Sequence, residues 1–401
     1  MEDPAPRFPL IGLLTLAGAI FVSVTGEFLP TGLLPDMARD LEVSVGQTGL
    51  LVTVFAATVV VAAAPLAFLT RTVSRKGLVF GVLLVNALAT VLAAAAPNYE
   101  VLVGARVLGG LAHGLFWAVV GSYAAHLVPK AQLARAIAIT GAGGSAAFVL
   151  GVPVGTLLGH GAGWRPAFLM IAAAMVVLAV LVLAYLPAVD HSVPVTTGEI
   201  PLPARRDPTL PGVLAVCLVI VVLIVGQNIF YTYIAPYLTG TAGFDPGAVG
   251  PILFLYGGAG AVGLLIAGIV GSRYPTGAML VSIGVAIVCV LVLAAAPRAP
   301  GVVVVAVVAW GASFGVVPPL LQTRNMSLAS IRIRDQASAW MTTAFNIGIG
   351  GGALVGAALL PLGGVEVLPW VGAAVMGVAL VLVALIAGKS RRKGSAGSVI
   401  V

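Results

Sequence analysis

The sequence predicts an all-α membrane protein in which twelve transmembrane helices form two pseudo-symmetric six-helix bundles. Three observations carry this prediction. The chain of 401 residues is 60% hydrophobic and 8% charged, whereas soluble domains contain about 25% charged residues. Apolar runs long enough to cross a bilayer as helices recur to the end of the chain. One long hydrophilic stretch, residues 188–210, divides these runs into two groups of six.

The twelve spans are placed by the length and continuity of the apolar runs. The first run is too long and too rich in glycine for a cleaved signal peptide. We expect spans at 9–34, 47–69, 77–96, 101–123, 132–159, 166–187, 211–238, 248–271, 277–296, 301–323, 336–361 and 367–388. The corresponding divisions are an N-terminal bundle at 1–187, a linker at 188–210, a C-terminal bundle at 211–390 and a tail at 391–401.

The distribution of basic residues predicts the orientation of the chain. With both termini on one side, sixteen of the 20 Lys and Arg residues lie on that side. Arg39, Arg165 and Arg298 lie on the other side, and Arg106 lies within a span. Because cytoplasmic loops are enriched in Lys and Arg, we expect both termini in the cytoplasm. The net charge of +7 then faces the anionic inner leaflet and does not require a nucleic acid partner.

Sequence features of the first half recur in the second half at an offset near 201 residues, which indicates a duplicated six-span unit. The matching positions include Pro35 and Pro236, Gly114 and Gly315, and Glu27 and Asn228. Two related halves with a site between them suit a transporter that works by alternating access.

Several stretches resemble the major facilitator superfamily, and most closely its sugar-efflux and chloramphenicol-resistance-like drug:proton antiporters. The similarity runs over nearly the whole chain. The stretches that carry it are Gly26–Phe28, Gly32–Asp36, Ala105–Arg106 through His113–Gly114, Gly151–Thr156, Gly163–Arg165, Tyr233–Pro236 and Phe345–Gly348. The resemblance implies the major facilitator fold, in which spans 1, 4, 7 and 10 line a central cavity.

The loop between spans 2 and 3 departs from the pattern of this superfamily. Its basic end is retained as Arg75 and Lys76, which we expect to be structural or gating residues. The position of the aspartate in the superfamily is Arg71 here. Any gating role of that aspartate therefore does not carry over to this chain.

Span 5 contains Gly151, Gly155 and Gly159 at every fourth position, with Pro153 between the first two. Small residues at this spacing let two helices approach closely, so packing alone would explain them. The resemblance adds a second interpretation, because a fifth span rich in Gly and Pro is associated with antiport in the superfamily. Here Val152 separates the glycine from the proline, unlike the pattern of the superfamily.

Glu27 is the only one of 13 acidic residues that lies deep in an apolar segment. A carboxylate in a bilayer costs several kcal/mol unless it is paired or hydrated, so it usually marks an ion or proton path. At a rise of 1.5 Å per residue, Glu27 lies roughly 10 Å and Arg106 roughly 8 Å from the same surface. We therefore expect Arg106 to pair with Glu27 and favour its ionised form until substrate or a helix shift breaks the pair. The alternative is a static structural ion pair.

Span 4 presents Arg106, Gly110, His113 and Trp117 on one helical face. His113 lies near mid-membrane and is a candidate for proton exchange at physiological pH. The alternative is a neutral histidine that is hydrogen-bonded to a neighbouring helix. A metal site is not expected, since no second ligand stands at metal spacing.

The second half carries polar and aromatic groups where the first half carries charges. The candidate substrate-binding residues are Trp117, Asn228, Tyr231, Trp310, Phe314 and Asn346. An uncharged, aromatic wall would suit a partly apolar solute. The alternative for each aromatic residue is ordinary core packing.

We find no nucleotide-binding, nucleophile or cofactor motif, and therefore expect no enzyme activity and a proton gradient as the driving force. The favoured function is proton-coupled efflux of a small drug-like compound, sugar or metabolite across a bacterial inner membrane, by a monomer. A proton-coupled importer with the same fold remains open.

Overall fold

The computed structural model describes residues 8–129, 132–187, 207–271 and 273–396. In these ranges the chain forms twelve helices that are long and apolar enough to cross a membrane, and it forms no strands. They are α1 (Leu10–Asp40), α2 (Val45–Leu69), α3 (Arg75–Ala94), α4 (Tyr99–Leu127), α5 (Leu133–Ala146, Ala147–Gly151 and Val152–Ala162), α6 (Trp164–Tyr185), α7 (Leu210–Tyr231), α8 (Pro246–Val270), α9 (Pro275–Ala295), α10 (Pro300–Leu328), α11 (Arg334–Gly363) and α12 (Leu368–Ala396). The prediction of twelve spans is confirmed.

Polar side chains cap several helices at the ends of the bundle. The Ser44 hydroxyl accepts from the N–H of Gln47, and the Gln47 side chain accepts from the N–H of Ser44. Asn98 and Asp245 cap α4 and α8 in the same way, each accepting a backbone N–H of the first turn. At the α5–α6 junction Gly163 adopts a φ of 97°, which favours glycine. These residues satisfy helix ends that would otherwise leave orphan backbone groups.

The same pairs of helices pack in both halves of the molecule. In the first half α2 packs on α4, α3 on α6 and α1 on α5. The second half repeats this arrangement with α8 on α10, α9 on α12 and α7 on α11. Residues 188–206 of the expected linker lie outside the described residues.

The glycines of α5 let this helix lie directly against α1. A Cβ atom built at Gly155 would lie 2.7 Å from Cδ1 of Leu29, and one at Gly151 would lie 3.0 Å from Cβ of Thr25. The close approach predicted from the glycine spacing is therefore confirmed. Beside this contact, Ala147–Gly151 forms a π-helical turn. It is followed by Pro153, which has no N–H for a normal helical bond.

The two halves meet through α2 against α11, α5 against α8, and α1 against the short helical turn Ile234–Pro236 that follows α7. An even number of spans places both termini on one side of the bundle, and we call the opposite side the distal side. The hydroxyl of Thr53 donates to the carbonyl of Gly350 at 2.9 Å. A Cβ built at Gly250 would lie 3.0 Å from the carbonyl oxygen of Pro153. These contacts hold the halves together from mid-bundle towards the distal side.

Candidate functional site

The carboxylate of Glu27 lies inside the first half and faces a histidine. Glu27 is 7% exposed on α1, and its Oε2 lies 3.2 Å from Nε2 of His113 on α4. His113 is 1% exposed. Two titratable side chains on different helices therefore share a site that bulk water does not reach.

Arg106 reaches Glu27 but binds its main chain rather than its carboxylate. Nη1 donates to the carbonyl of Gly26 at 3.2 Å, and Nη2 donates to the carbonyl of Glu27 at 3.1 Å. Pro30 explains one of these bonds, because it has no N–H to donate to the carbonyl four residues earlier, that of Gly26. The guanidinium also stacks on Phe55, with Cζ 4.2 Å from the ring centroid. The expected ion pair between Arg106 and the Glu27 carboxylate is therefore corrected.

Trp117 and His113 are bonded to each other along α4. The indole Nε1–H of Trp117 donates to Nε2 of His113 at 2.7 Å, as the shared helical face predicts. Nδ1 of His113 is buried and has no hydrogen-bond partner among the described residues. Trp117 is half-buried, and its only polar atom is occupied by the histidine.

In the second half, three side chains form a linear hydrogen-bonded chain. Nε1 of Trp310 donates to Oε1 of Gln227 at 2.8 Å, and Nε2 of Gln227 donates to the hydroxyl of Tyr256 at 2.8 Å. Trp310 is 0% exposed and stacks on Phe230, with ring centroids 5.4 Å apart and an interplanar angle of 16°. In this conformation no face of Trp310 is open to a solute.

Of the other two aromatic candidates in this half, Tyr231 packs against the same chain. Tyr231 is buried, and its ring centroid lies 5.0 Å from that of Tyr256 and 5.9 Å from that of Trp310. Phe314 is half-buried on α10 and packs against the main core. Their predicted role in substrate contact stays a prediction, since in this structure both serve packing.

Asn228 and Asn346 are buried, and each presents a free amide oxygen. Nδ2 of Asn228 donates to the carbonyl of Ile224 at 3.0 Å, and Nδ2 of Asn346 donates to the carbonyl of Thr342 at 3.0 Å. Oδ1 of each residue has no partner among the described residues. Because a carbonyl only accepts, the bonded end must be the NH₂ group and the free end must be an acceptor.

Arg75 and Lys76 are the first two residues of α3, on the side of the termini, and both are half-exposed. Ser74 caps this helix by accepting from the N–H of Gly77. Nearby, the guanidinium of Arg71 stacks on Phe68 at 4.5 Å. The structure therefore places the basic end of the loop away from the Glu27 site.

Sequence reasoning missed Gln227 and Tyr256 in the second half, and a polar network on the distal side. Gln227 is a polar residue within an apolar span, which is the signal that could have identified it. On the distal side Nδ1 of His160 lies 2.7 Å from a carboxylate oxygen of Asp36. Close by, Asp40 pairs with Arg165 and accepts from Nε1 of Trp164 at 2.9 Å. These contacts fasten the end of α1 to α5 and α6.

One cavity of about 620 Å³ opens on the distal side of the second half, away from the Glu27 site. Its lining includes Tyr237, Arg298, Glu366 and Trp370.

The described residues contain no group of His, Cys, Asp and Glu side chains that could hold a metal ion.

Comparison with solved structures identifies transporters of the same architecture. A bacterial homologue of the human lysosomal transporter Spinster, in an inward-facing and unoccupied conformation, matches with a TM-score of 0.69 at 16% identity, over 95% of this chain and 96% of that one. The human organic anion transporter MFSD10 (TETRAN) matches with a TM-score of 0.70 at 16% identity, over 94% and 100%. The nucleoside transporter NupG matches with a TM-score of 0.73 at 15% identity, over 94% and 99%.

At such identities these similarities establish the fold. The sequence itself matches the family model described as Major Facilitator Superfamily over residues 16–349, with a second match over residues 216–398. The chain therefore belongs to the major facilitator superfamily of membrane transporters.

Proposed function

We propose that this transporter is a drug:proton antiporter, which exports a small drug-like compound, sugar or metabolite while protons enter the cell. One observation carries the proposal: the buried Glu27 carboxylate lies 3.2 Å from Nε2 of His113. Both groups bind protons, and they lie on different helices of the half that holds the buried charges.

The proton role follows from the cost of burying charge. An ionised carboxylate in a bilayer costs several kcal/mol, and taking up a proton removes that cost. Arg106 makes no hydrogen bond to the Glu27 carboxylate, since Nη1 and Nη2 bind main-chain carbonyls. A change in water access to Glu27 would therefore change its protonation, which is what coupling to alternating access requires.

The solute class follows from the second half. The free amide oxygens of Asn228 and Asn346 are acceptors, so a solute that binds them must donate hydrogen bonds. Tyr231 and Phe314 add apolar surface in the same half. We infer a semi-polar solute that carries N–H or O–H groups, bound without a counter-charge from the second half.

The excess of Lys and Arg on the side of the termini supports cytoplasmic termini in a bacterial inner membrane. It fits a division into bundles at 1–187 and 211–390 with a linker at 188–210. The proposed transporter works as a monomer, needs no cofactor, and takes its energy from the proton gradient.

The test is proton movement in liposomes that contain the purified protein and an internal pH dye. A panel of chloramphenicol, ethidium, a nucleoside and a sugar is added in turn. We expect a pH change with at least one compound and its loss in Glu27→Gln, which keeps the shape of the side chain but cannot ionise. Glu42→Gln is the matched control, because Glu42 is exposed in the α1–α2 turn.

The sign of the pH change separates antiport from symport. Proton movement opposite to that of the solute supports export in exchange for protons, whereas movement in the same direction would replace export with proton-coupled import. Undiminished uphill transport by Glu27→Gln would remove the proton role of Glu27 altogether.

A further inference from the structure

The three side chains Glu27, His113 and Trp117 meet at a single nitrogen atom. Nε2 of His113 lies 2.7 Å from Nε1 of Trp117 and 3.2 Å from Oε2 of Glu27. The indole N–H can only donate, while an imidazole nitrogen either carries a hydrogen or offers one lone pair. The state of this one atom therefore decides which neighbour can bind it.

If Nε2 offers its lone pair, Trp117 donates to it and the proton of the neutral ring lies on Nδ1. An ionised Glu27 would then place a carboxylate oxygen opposite a lone pair, inside a site that water does not reach. The two acceptors repel each other, and the low dielectric strengthens the repulsion. The bond between Trp117 and His113 is therefore compatible with a Glu27 whose proton lies on Oε1, away from the one lone pair that the indole occupies.

If Nε2 carries a hydrogen, it donates to the Glu27 carboxylate. The indole N–H then faces another N–H at a distance that suits only a donor and an acceptor, so Trp117 must turn away. This arrangement is favoured once the site has lost a proton, because the neutral histidine can satisfy the negative charge of Glu27. The carboxyl O–H bond breaks and its proton leaves the site, while the ring proton moves from Nδ1 to Nε2.

We propose that Trp117 is a positioning residue of the proton site, which binds His113 when Glu27 is protonated and leaves it when Glu27 is ionised. The proposal rests on the proposed function for the identity of the proton site. It changes the expected role of Trp117 from a passive substrate contact to a side chain whose position reports protonation. Trp117 is half-buried, so a movement of its indole would change the surface beside the Glu27 site.

The surroundings of His113 leave Glu27 as the group that controls this exchange. From α1 it faces Glu27, and from α2 it faces Phe55, whose ring centroid lies 5.2 Å from that of the imidazole. On α4 itself the charged neighbour is Arg106, whose guanidinium is held by Phe55 and the α1 carbonyls. From α3 the polar neighbour at the α4 contact is Asn86, which does not titrate.

The test follows Trp117 emission as a function of pH in the full-length protein, in lipid nanodiscs without substrate. The protein has 5 tryptophans, so Trp117 emission is the difference between wild type and Trp117→Phe at each pH. Between about pH 5 and about pH 9, a range that brackets the usual titration of histidine, we expect this difference spectrum to change once. In a Glu27→Gln background the change should be lost, with the spectrum fixed at its low-pH form.

A Trp117 difference spectrum that does not change with pH, or that changes equally in the Glu27→Gln background, would overturn the proposal. His113→Gln is the second variant, since its amide oxygen can keep the Trp117 bond at every pH and should also remove the transition. If Trp117 emission does not change with pH while liposome transport still requires Glu27, the proposal for Trp117 fails and the proposed function stands. The proton role itself fails if Glu27→Gln transports normally.

Discussion

The two halves of this transporter share one packing plan but fill it with different chemistry. Glu27 on α1 and Asn228 on α7 occupy matching positions of the repeat. Around Glu27 lie a histidine and an arginine, and Nε2 of His113 lies within reach of both Glu27 and Trp117. Near Asn228 lie Trp310, Gln227 and Tyr256, whose polar atoms are joined in one neutral chain.

This contrast between ionisable and neutral groups suggests that the two copies of a duplicated unit can take different roles. A neutral hydrogen-bonded chain has one favoured arrangement, so it rigidifies the second half. A cluster of ionisable groups has several protonation states, each with its own favoured geometry. We therefore propose that the first half handles protons and that the second provides scaffolding and solute contact.

Replacing Arg106 with methionine should destabilise the protein by about 3 kcal/mol, because hydrogen bonds to a charged group are lost and buried carbonyls are left bare. The measurement is SDS-induced unfolding in mixed micelles. Arg298→Met is the control, since Arg298 is exposed on the distal side. Equal stability of the two variants would show that Arg106 does not hold α1 and α4 together.

Replacing Trp310 with phenylalanine should cost about 2 kcal/mol in the same assay, because Oε1 of Gln227 loses its donor while buried. Combining it with Gln227→Met should recover part of the loss. If the two halves divide their tasks in this way, transport by Trp310→Phe should still be abolished by adding Glu27→Gln, even though stability falls. Loss of that dependence would place proton handling in both halves.

Alanine at repeat-related glycines should cost similar amounts in the two halves, about 1–2 kcal/mol each, because added methyl groups overpack the helix contacts. A Cβ at Gly151 would lie 3.0 Å from Cβ of Thr25, and one at Gly352 would lie 2.6 Å from Cβ of Asn228. Gly161→Ala is the control, since no atom lies within 4 Å of its added Cβ. A cost confined to one half would contradict a shared packing plan.

The smallest effect concerns Asp207, which precedes α7 outside the spans. Hydrogen bonds from Ser330 and Thr209 lower the pKa of its carboxyl group. A lowered pKa in the folded state gives stability that is present above the unfolded pKa and is lost as pH falls through the folded value. Ser330→Ala should therefore flatten the acid side of a plot of Tm against pH, while leaving transport unchanged at neutral pH. An unaltered acid limb would show that the bond to Ser330 has no effect on stability.

The sequence predicted the helices well because span length and apolar continuity depend on local composition. It also placed Arg106 level with Glu27, since the rise per residue fixes depth along a helix. It could not show which oxygen the guanidinium binds, because depth carries no information on helix rotation. The signal for the main-chain contact was Pro30, which frees the carbonyl of Gly26.

The network of the second half was harder to predict. Gln227 and Trp310 are 83 residues apart in the chain, and no local pattern joins them. The sequence singled out Asn228, the neighbour of Gln227, because both are amides within an apolar span. Trp117 was expected to face a solute, since an aromatic residue on a helical face does not show where its N–H points.

The most direct test of the central claim is infrared difference spectroscopy of the purified protein between low and high pH, in nanodiscs and without substrate. We expect a protonated-carboxyl C=O band that disappears as pH rises, and that is missing from Glu27→Gln but kept in Glu42→Gln. The same band in Glu27→Gln would show that the titrating carboxyl group is elsewhere, and would contradict a proton site at Glu27 and His113.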